Sequence, residues 1–202
     1  MSCHEKGWDR IYHRYSPESL PWELGEPRNI LVEVVESGQV VPGTALDVCC
    51  GVGSNPIFLA KKGFYVTALD ISDKAVEFAR EKAHAIGVDI DLLVGNFLKL
   101  PFESKTFDFI FDFGCFHHVQ VGDRTSFIEG VHRVLKPEAR YLLVCFSDRN
   151  GPAWNHFSLE KIVDLFQDRF RILWVKHTSS LEADNVTRYF HEVFMERKPT
   201  LA

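Results

Sequence analysis

The chain has 202 residues, 46% apolar and 25% charged, proportions that exclude a disordered, collagen-like or coiled-coil chain. Its 28 acidic against 23 basic residues give a formal charge of −5. The basic residues are scattered rather than gathered into the stripe that phosphate binding needs, so no nucleic acid partner is expected. A chain of this length is expected to form a single domain over residues 1–202, burying roughly 70% of its unfolded surface.

Met1 to Tyr15 is polar and mixed in charge, without the apolar core of a signal peptide. No apolar run approaches the ~20 residues a membrane helix needs, so no membrane partner is expected. The five cysteines, Cys3, Cys49, Cys50, Cys115 and Cys145, include no C-x-x-C pair and are odd in number. That speaks against a disulfide framework and for a reducing, cytoplasmic location. The histidines show no ligand spacing, and no metal site is expected.

In chain order, a short helix is predicted from Lys6 to Tyr15, then a segment punctuated by Pro17, Pro21 and Gly25. Ile30, Leu31, Val34 and Val35 fall on one stripe of a helix from Glu26 to about Ser37. After Pro42-Gly43 strands and helices alternate. Thr44–Cys49 reads as a strand, and Ser54 caps a helix to Lys62 with Pro56 in its first turn. Phe64–Leu69 is a second strand. Ser72 caps a helix to Ile86 that Gly87 ends. Ile90–Val94 and Phe107–Phe113 are strands, the latter apolar enough to be buried on both faces. Arg124–Leu135 is a helix, Arg140–Phe146 a strand, Leu159–Phe166 a helix, and Phe170–Lys176 and Val186–Glu196 are the last strands. The link from His177 to Asn185 is too short for a parallel crossover, so those two strands pair as an antiparallel hairpin. The expected fold class is α/β: a doubly wound, mostly parallel seven-stranded sheet with an antiparallel C-terminal strand and helices on both faces.

Ligands of such sheets lie beyond the carboxyl ends of the strands. The loop after the first strand reads Asp47-Val48-Cys49-Cys50-Gly51-Val52-Gly53-Ser54. Gly51 and Gly53 permit a tight turn and close approach of a ligand to the backbone. The second strand ends in Asp70-Ile71, where a carboxylate can accept hydrogen bonds from both hydroxyls of a ribose. A dinucleotide fingerprint needs a third glycine, and this chain has Pro56. Asp47 would disfavour a pyrophosphate and favour an ammonium. A cationic nucleoside is the better fit, with an NAD-dependent oxidoreductase as the alternative. A non-catalytic module that binds the same nucleoside is a further alternative.

Three stretches then stand in order: ALDVCCGVGSNPIFLAKKGFYVTALDIS, VGNFLKLPFESKTFDFIFDFGCFHHV and RVLKPEARYLLV. Together, from Leu46 to the end of the last strand, they resemble the Rossmann-like S-adenosylmethionine-dependent methyltransferases. The resemblance implies that Asp47, Cys49, Gly51 and Gly53 surround the methionine portion of S-adenosylmethionine. It implies that Asp70, followed by Ile71, holds the ribose, that Asn96 with Phe97 flanks the adenine, and that Phe113 lies near the pocket. Two residues depart from the family pattern: Cys49 replaces the usual first glycine, which constrains φ, and Asn96 replaces the usual acid.

The front segment from Trp8 to Pro27, WDRIYHRYSPESLPWELGEP, is similar to that of methyltransferases acting on thiols and halides and of tellurite-resistance-type relatives. That likeness implies that residues 1–25 cover the cofactor, with Trp22 near the reacting centre, where an aromatic face attracts a sulfonium by ~0.5–2 kcal/mol. Trp22 can equally serve as a staple for the N-terminal helix. The fourth strand runs into Gly114-Cys115-Phe116-His117-His118, where methyltransferases of amide and base amino groups carry an Asn- or Asp-Pro-Pro-aromatic element. His117 is a candidate base, or else a packing residue. Trp154 and His156, in the loop after the fifth strand, are candidate substrate-lining residues. The function expected is in-line methyl transfer to a small-molecule acceptor, a thiol or other soft nucleophile, leaving S-adenosylhomocysteine.

Overall fold

The computed structural model describes residues 5–152 and 155–199. The helices are α1 (Glu5–Arg14), α2 (Asn29–Glu36), α3 (Ser54–Lys61), α4 (Asp73–Ile86), α5 (Arg124–Val134) and α6 (Leu159–Phe166). The strands are β1 (Thr44–Val48), β2 (Tyr65–Asp70), β3 (Asp91–Val94), β4 (Phe107–Phe113), β5 (Leu135–Phe146), β6 (Phe170–Leu181) and β7 (Thr187–Arg197). They form one sheet in the order β3-β2-β1-β4-β5-β7-β6. The pairs β1–β2, β2–β3 and β4–β5 are parallel and β5–β7 is antiparallel, which is the α/β class expected. Two compact units share the chain, Met1–Phe97 with Leu181–Val186, and Leu98–Ser180 with Thr187–Ala202.

In the first unit the apolar positions of β1 and β2, among them Ala45, Leu46, Val48, Ala68 and Leu69, are fully buried. The register sets Val48 opposite Leu69, so the loops after the two strands begin at one level. Ser72 caps α4 by accepting from Ala75 N at 3.2 Å, and Gly87 ends it at φ +79°. At α3 the cap is Gly53 rather than Ser54; the Ser54 hydroxyl instead accepts from Lys82 Nζ at 2.8 Å. Helix α2 begins at Asn29 rather than Glu26, because Pro27 holds the residue before it out of the helical region and Arg28 is itself extended.

In the second unit β5 is longer than predicted. Phe107 pairs with Leu135 and Phe109 with Arg140, so the stretch containing Pro137, with Glu138 at φ +62°, is absorbed as a bulge instead of ending the strand. Strand β6 is longer too, while β7 keeps its predicted length one residue further on. Polar residues from His177 onward continue β6, which alternates between half-buried and exposed positions along the sheet edge, and an edge strand needs little apolar pattern. The core is aromatic, with Tyr141, Phe116, Phe127, Phe157, Phe166 and Phe170 fully buried.

Cys50 and Cys145 are buried free thiols, whereas Cys49 and Cys115 are each disulfide-bonded, which corrects the expectation of reduced cysteines throughout. No helix among the described residues is long and apolar enough to cross a membrane.

Candidate cofactor site

The turn after β1 is built from left-handed residues. Cys49, Gly51 and Gly53 have φ of +62°, +54° and +88°, a conformation that costs a residue with a Cβ roughly 1–2 kcal/mol. Glycine avoids that cost at two of the three positions, and Cys49 bears it. Close packing sets the second demand: a Cβ on Gly53 would lie 2.9 Å from Ala79 Cβ on α4. Asp70, at the tip of β2, braces the turn. Its Oδ2 accepts from Gly51 N at 2.9 Å and its Oδ1 from Ser72 N at 3.0 Å. Each carboxylate oxygen can accept a second bond, which is the capacity a ribose requires. Asp47 is buried in the neighbouring strand. Beyond β3, Gly95 N donates to Asp70 O at 2.8 Å, and half-buried Asn96 and Phe97 follow. The first unit thus brings together Asp47, Cys49, Gly51, Gly53, Asp70, Ile71, Asn96 and Phe97.

The front segment packs onto this turn. Tyr12, Leu20, Val52 and Ala75 form a buried cluster with Trp8, Ile11, Trp22 and Phe78 against it. Trp22 Nε1 donates to Tyr12 Oη at 3.1 Å, and its ring meets Trp8 edge-on at 5.4 Å, so it does staple α1. Its carbonyl accepts from Arg28 Nη2 at 2.6 Å. Arg28 is buried and forms a 3.1 Å ion pair with buried Glu182, and Ala183 N donates to Pro21 O at 2.9 Å. The β6–β7 connection therefore clamps the Pro21-Trp22 element, with Arg28 and Glu182 meeting across 154 residues of sequence, a contact the sequence pattern gave no sign of.

Glu23 was also missed; its sole hint is its place directly after Trp22. Its Oε1 accepts from Val52 N at 3.4 Å. A Cβ on Gly51 would lie 2.6 Å from that oxygen and 3.1 Å from Tyr12 Oη. A side chain at Gly51 would push the end of Glu23 aside and crowd the Tyr12 hydroxyl.

Acids dominate the charges gathered here, with Lys82 and Arg28 acting against them. Burial raises the Glu23 carboxyl to about 7, with Asp70 adding to the effect and Val52 N–H, Lys82 and Arg28 opposing it. Burial likewise raises Asp70, against the N–H bonds from Ser72, Gly51 and Ile71. The Tyr12 hydroxyl is pushed up by burial, then by Asp70 and Glu23. The Cys50 thiol is pushed up by burial, then by Asp70, Asp47 and Glu23. Ionised Asp70 resists ionisation of Glu23 and Asp9 that of Asp70, and a cationic ligand relieves that repulsion. Ribose acceptors, space at a glycine turn and a negative field fit a cationic nucleoside.

The second unit holds the remaining candidates. Phe113 is half-buried at the end of β4, with its ring 5.6 Å from that of Phe190. His117 is buried and stacked on Phe146 at 3.8 Å. Its Nδ1 accepts from Phe146 N at 3.2 Å, and burial holds its pKa well below the usual value. The ring is therefore neutral, with its one proton on Nε2. The His117 carbonyl accepts from Asn155 Nδ2, and Asn155 Oδ1 accepts from Arg124 Nη2 at 3.0 Å. His156 is half-buried next in the chain, and Trp154 lies outside the described residues. Among the described residues, one group has metal-ligand spacing, Asp9, His13 and Asp73, two of the three exposed. His13 Nε2 stands 3.2 Å from Asp73 Oδ1 and 3.6 Å from Asp9 Oδ2, the distances of a surface ion-pair cluster.

A model of the methyltransferase domain matches residues 45–138. Probable thiol methyltransferase 2 of Arabidopsis thaliana is 28% identical over 151 residues, 72% of this chain and 64% of that protein. The 2-heptyl-1-hydroxyquinolin-4(1H)-one methyltransferase of Mycobacteroides abscessus is 27% identical over 150 residues, 72% of this chain and 66% of that protein. The chain thus spans just under two thirds of the length of these curated relatives. A solved structure described by the conversion of a disulfide bond into a thioacetal group during echinomycin biosynthesis shares the fold. Its TM-score is 0.85 at 23% identity, over 96% of this chain and 93% of that one. The glycine turn and Asp70 both lie inside the segment that matches the methyltransferase domain.

Proposed function

We propose that the chain is an enzyme that transfers a methyl group from S-adenosylmethionine to a small-molecule acceptor with a soft nucleophilic atom, a thiol foremost. One observation carries the reading of the cofactor: Asp70 is anchored by Gly51 and Ser72 N–H groups and keeps acceptor capacity for a ribose, among acids that favour a cation. In this reading Asp47, Cys49, Gly51 and Gly53 hold the methionine portion, Asp70 and Ile71 the ribose, and Asn96 and Phe97 the adenine. Phe113 lies near the pocket, Trp22 presents its ring to the sulfonium, and His156 with Trp154 lines the acceptor.

When bound, the donor supplies a methyl carbon already activated by its sulfonium. The chain's task is alignment and exclusion of water, and alignment alone can contribute up to ~7–11 kcal/mol. The acceptor–carbon bond forms as the carbon–sulfonium bond breaks, leaving neutral S-adenosylhomocysteine, and a thiol acceptor gives up its proton to solvent. His117 is not a base in this scheme. One ring nitrogen is occupied by Phe146 N–H and the other carries the proton, so its remaining capacity is as an N–H donor.

The thiol preference is supported by the front segment and by the thiol methyltransferase relative. The thioacetal chemistry in the description of the structural neighbour points the same way. Incubation with labelled donor and a panel of thiols, halides, phenols, carboxylic acids and amines tests it. Label is expected in thiol or halide products; label only in oxygen or nitrogen products would overturn the soft-acceptor reading.

A further inference from the structure

Glu23 has surroundings that its fold role does not explain. Its carboxylate lies over the glycine turn, 3.4 Å from Val52 N, in the space that the missing Cβ of Gly51 leaves. Tyr12 Oη borders the same space. Among the described residues no cation stands within ion-pair distance of it: Lys82 Nζ donates to Ser54, and Arg28 pairs with Glu182. Glu23 is nevertheless reachable. With Val52, Phe78 and Lys82 it lines a cavity of about 540 Å³. The element that carries it is fixed by Glu23 N donating to Leu20 O at 3.0 Å and by the Arg28 bond to the Trp22 carbonyl. A carboxylate held in place and half-buried, on which Lys82 and Arg28 act only from beyond ion-pair distance, is suited to an incoming positive charge.

We infer that Glu23 reads the charge of the methyl donor, favouring the sulfonium of S-adenosylmethionine over the neutral sulfide of S-adenosylhomocysteine. The inference rests on the methyltransferase reading above. Donor and product share the amino-acid and adenosine parts, so any difference in their response to Glu23 isolates the sulfonium. The titratable and charged groups that act on Glu23 are Tyr12 on α1, Asp70 on β2, Arg28 before α2 and Lys82 on α4, and the glutamates Glu18 and Glu81 line the same cavity. Burial leaves Glu23 with a pKa of about 7, so near neutral pH part of the population is protonated. A sulfonium beside it expels that proton; a sulfide does not. After transfer the attraction is lost, which favours release of the product.

Calorimetric titration of each ligand at pH 7, in two buffers of different ionisation enthalpy, counts protons released on binding. The wild-type protein is expected to release roughly half a proton more with S-adenosylmethionine than with S-adenosylhomocysteine. Glu23→Gln is expected to abolish that difference and to lower the donor-to-product affinity ratio about 10-fold. Equal proton release for the two ligands in the wild type, or an unchanged affinity ratio in Glu23→Gln, would overturn the inference. If Glu23→Gln does not fold, the wild-type pH series decides. Donor affinity must rise more than product affinity between pH 6 and 8, and parallel curves refute the role. If neither ligand binds the wild type, the methyltransferase reading itself has failed, which is a separate result.

Discussion

Asp70 and Asp112 are both buried, both stand at or beside the end of a parallel strand, and both accept backbone N–H groups from strand-end turns, Asp70 from its own turn and from the one after β1. Asp112 takes Cys115 N at 2.9 Å and Phe116 N at 3.4 Å, much as Asp70 takes Gly51 and Ser72. They differ in what surrounds them. The shell of Asp112 is closed by the Tyr141 hydroxyl at 3.0 Å and by the rings of the aromatic core. Around Asp70 stand glycines and two further acids. The same strand-end carboxylate thus gives a sealed scaffold in one turn and an open, negatively charged cradle in the other. A carboxylate at a strand tip does not mark a ligand site; left-handed glycines and unbalanced charge beside it do.

The largest test concerns how each unit handles a buried arginine. Arg28 is neutralised by Glu182, while Arg124 lies 4.6 Å over the Phe157 ring with Asn155 as its polar partner. Glu182→Gln strands the Arg28 charge and is expected to cost about 3–5 kcal/mol in urea unfolding. Asn155→Ala is expected to cost only about 1 kcal/mol. Equal effects would show that the clamp on the front segment is not electrostatic.

Next comes pH. Burial raises the Asp112 carboxyl from 3.8 to about 7, so the folded chain holds this proton more tightly than the unfolded one. Stability from this group is complete below about pH 4 and is lost as pH rises through about 7, a change on the order of a few kcal/mol. Asp112→Asn is expected to flatten the fall in melting temperature between pH 5 and 8. An unchanged slope would show that Asp112 stays ionised throughout.

Smaller effects separate the two turns sterically. Gly53→Ala meets Ala79 at 2.9 Å and must also keep φ +88°, whereas at Gly114, φ +85°, the nearest atom to an added Cβ is 3.5 Å away. Gly53→Ala is expected to cost about 2–3 kcal/mol and Gly114→Ala about 1 kcal/mol, the conformational part alone. Thermal unfolding of the two variants reads the difference, and equal losses would mean that α4 yields at Ala79.

The cradle was legible in the sequence because its parts are local. Gly51, Gly53 and Asp70 lie within one strand–helix–strand unit, and Ser72 and Gly87 bracket α4 by short-range capping chemistry. Strand β4 and helix α6 kept their predicted bounds for the same reason, since each carries its own apolar period. What failed depended on distant partners. The bulge in β5 is set by its pairing with β4, and the length of β6 by its place at the sheet edge. The clamp joins Arg28 to Glu182 across most of the chain. His117 was offered as a base, yet its lone pair is spent on Phe146 N–H, 29 residues on. Glu23 was hidden beside Trp22, because nothing short of the folded turn shows what its carboxylate faces.

The cradle around Asp70 is the centre of this account, and calorimetric titration of S-adenosylmethionine into the wild type and Asp70→Ala tests it most directly. The wild type is expected to bind, and the variant, if folded by circular dichroism, to bind at least about 100-fold more weakly, a loss of about 2.7 kcal/mol. A folded Asp70→Ala protein with wild-type affinity would contradict it.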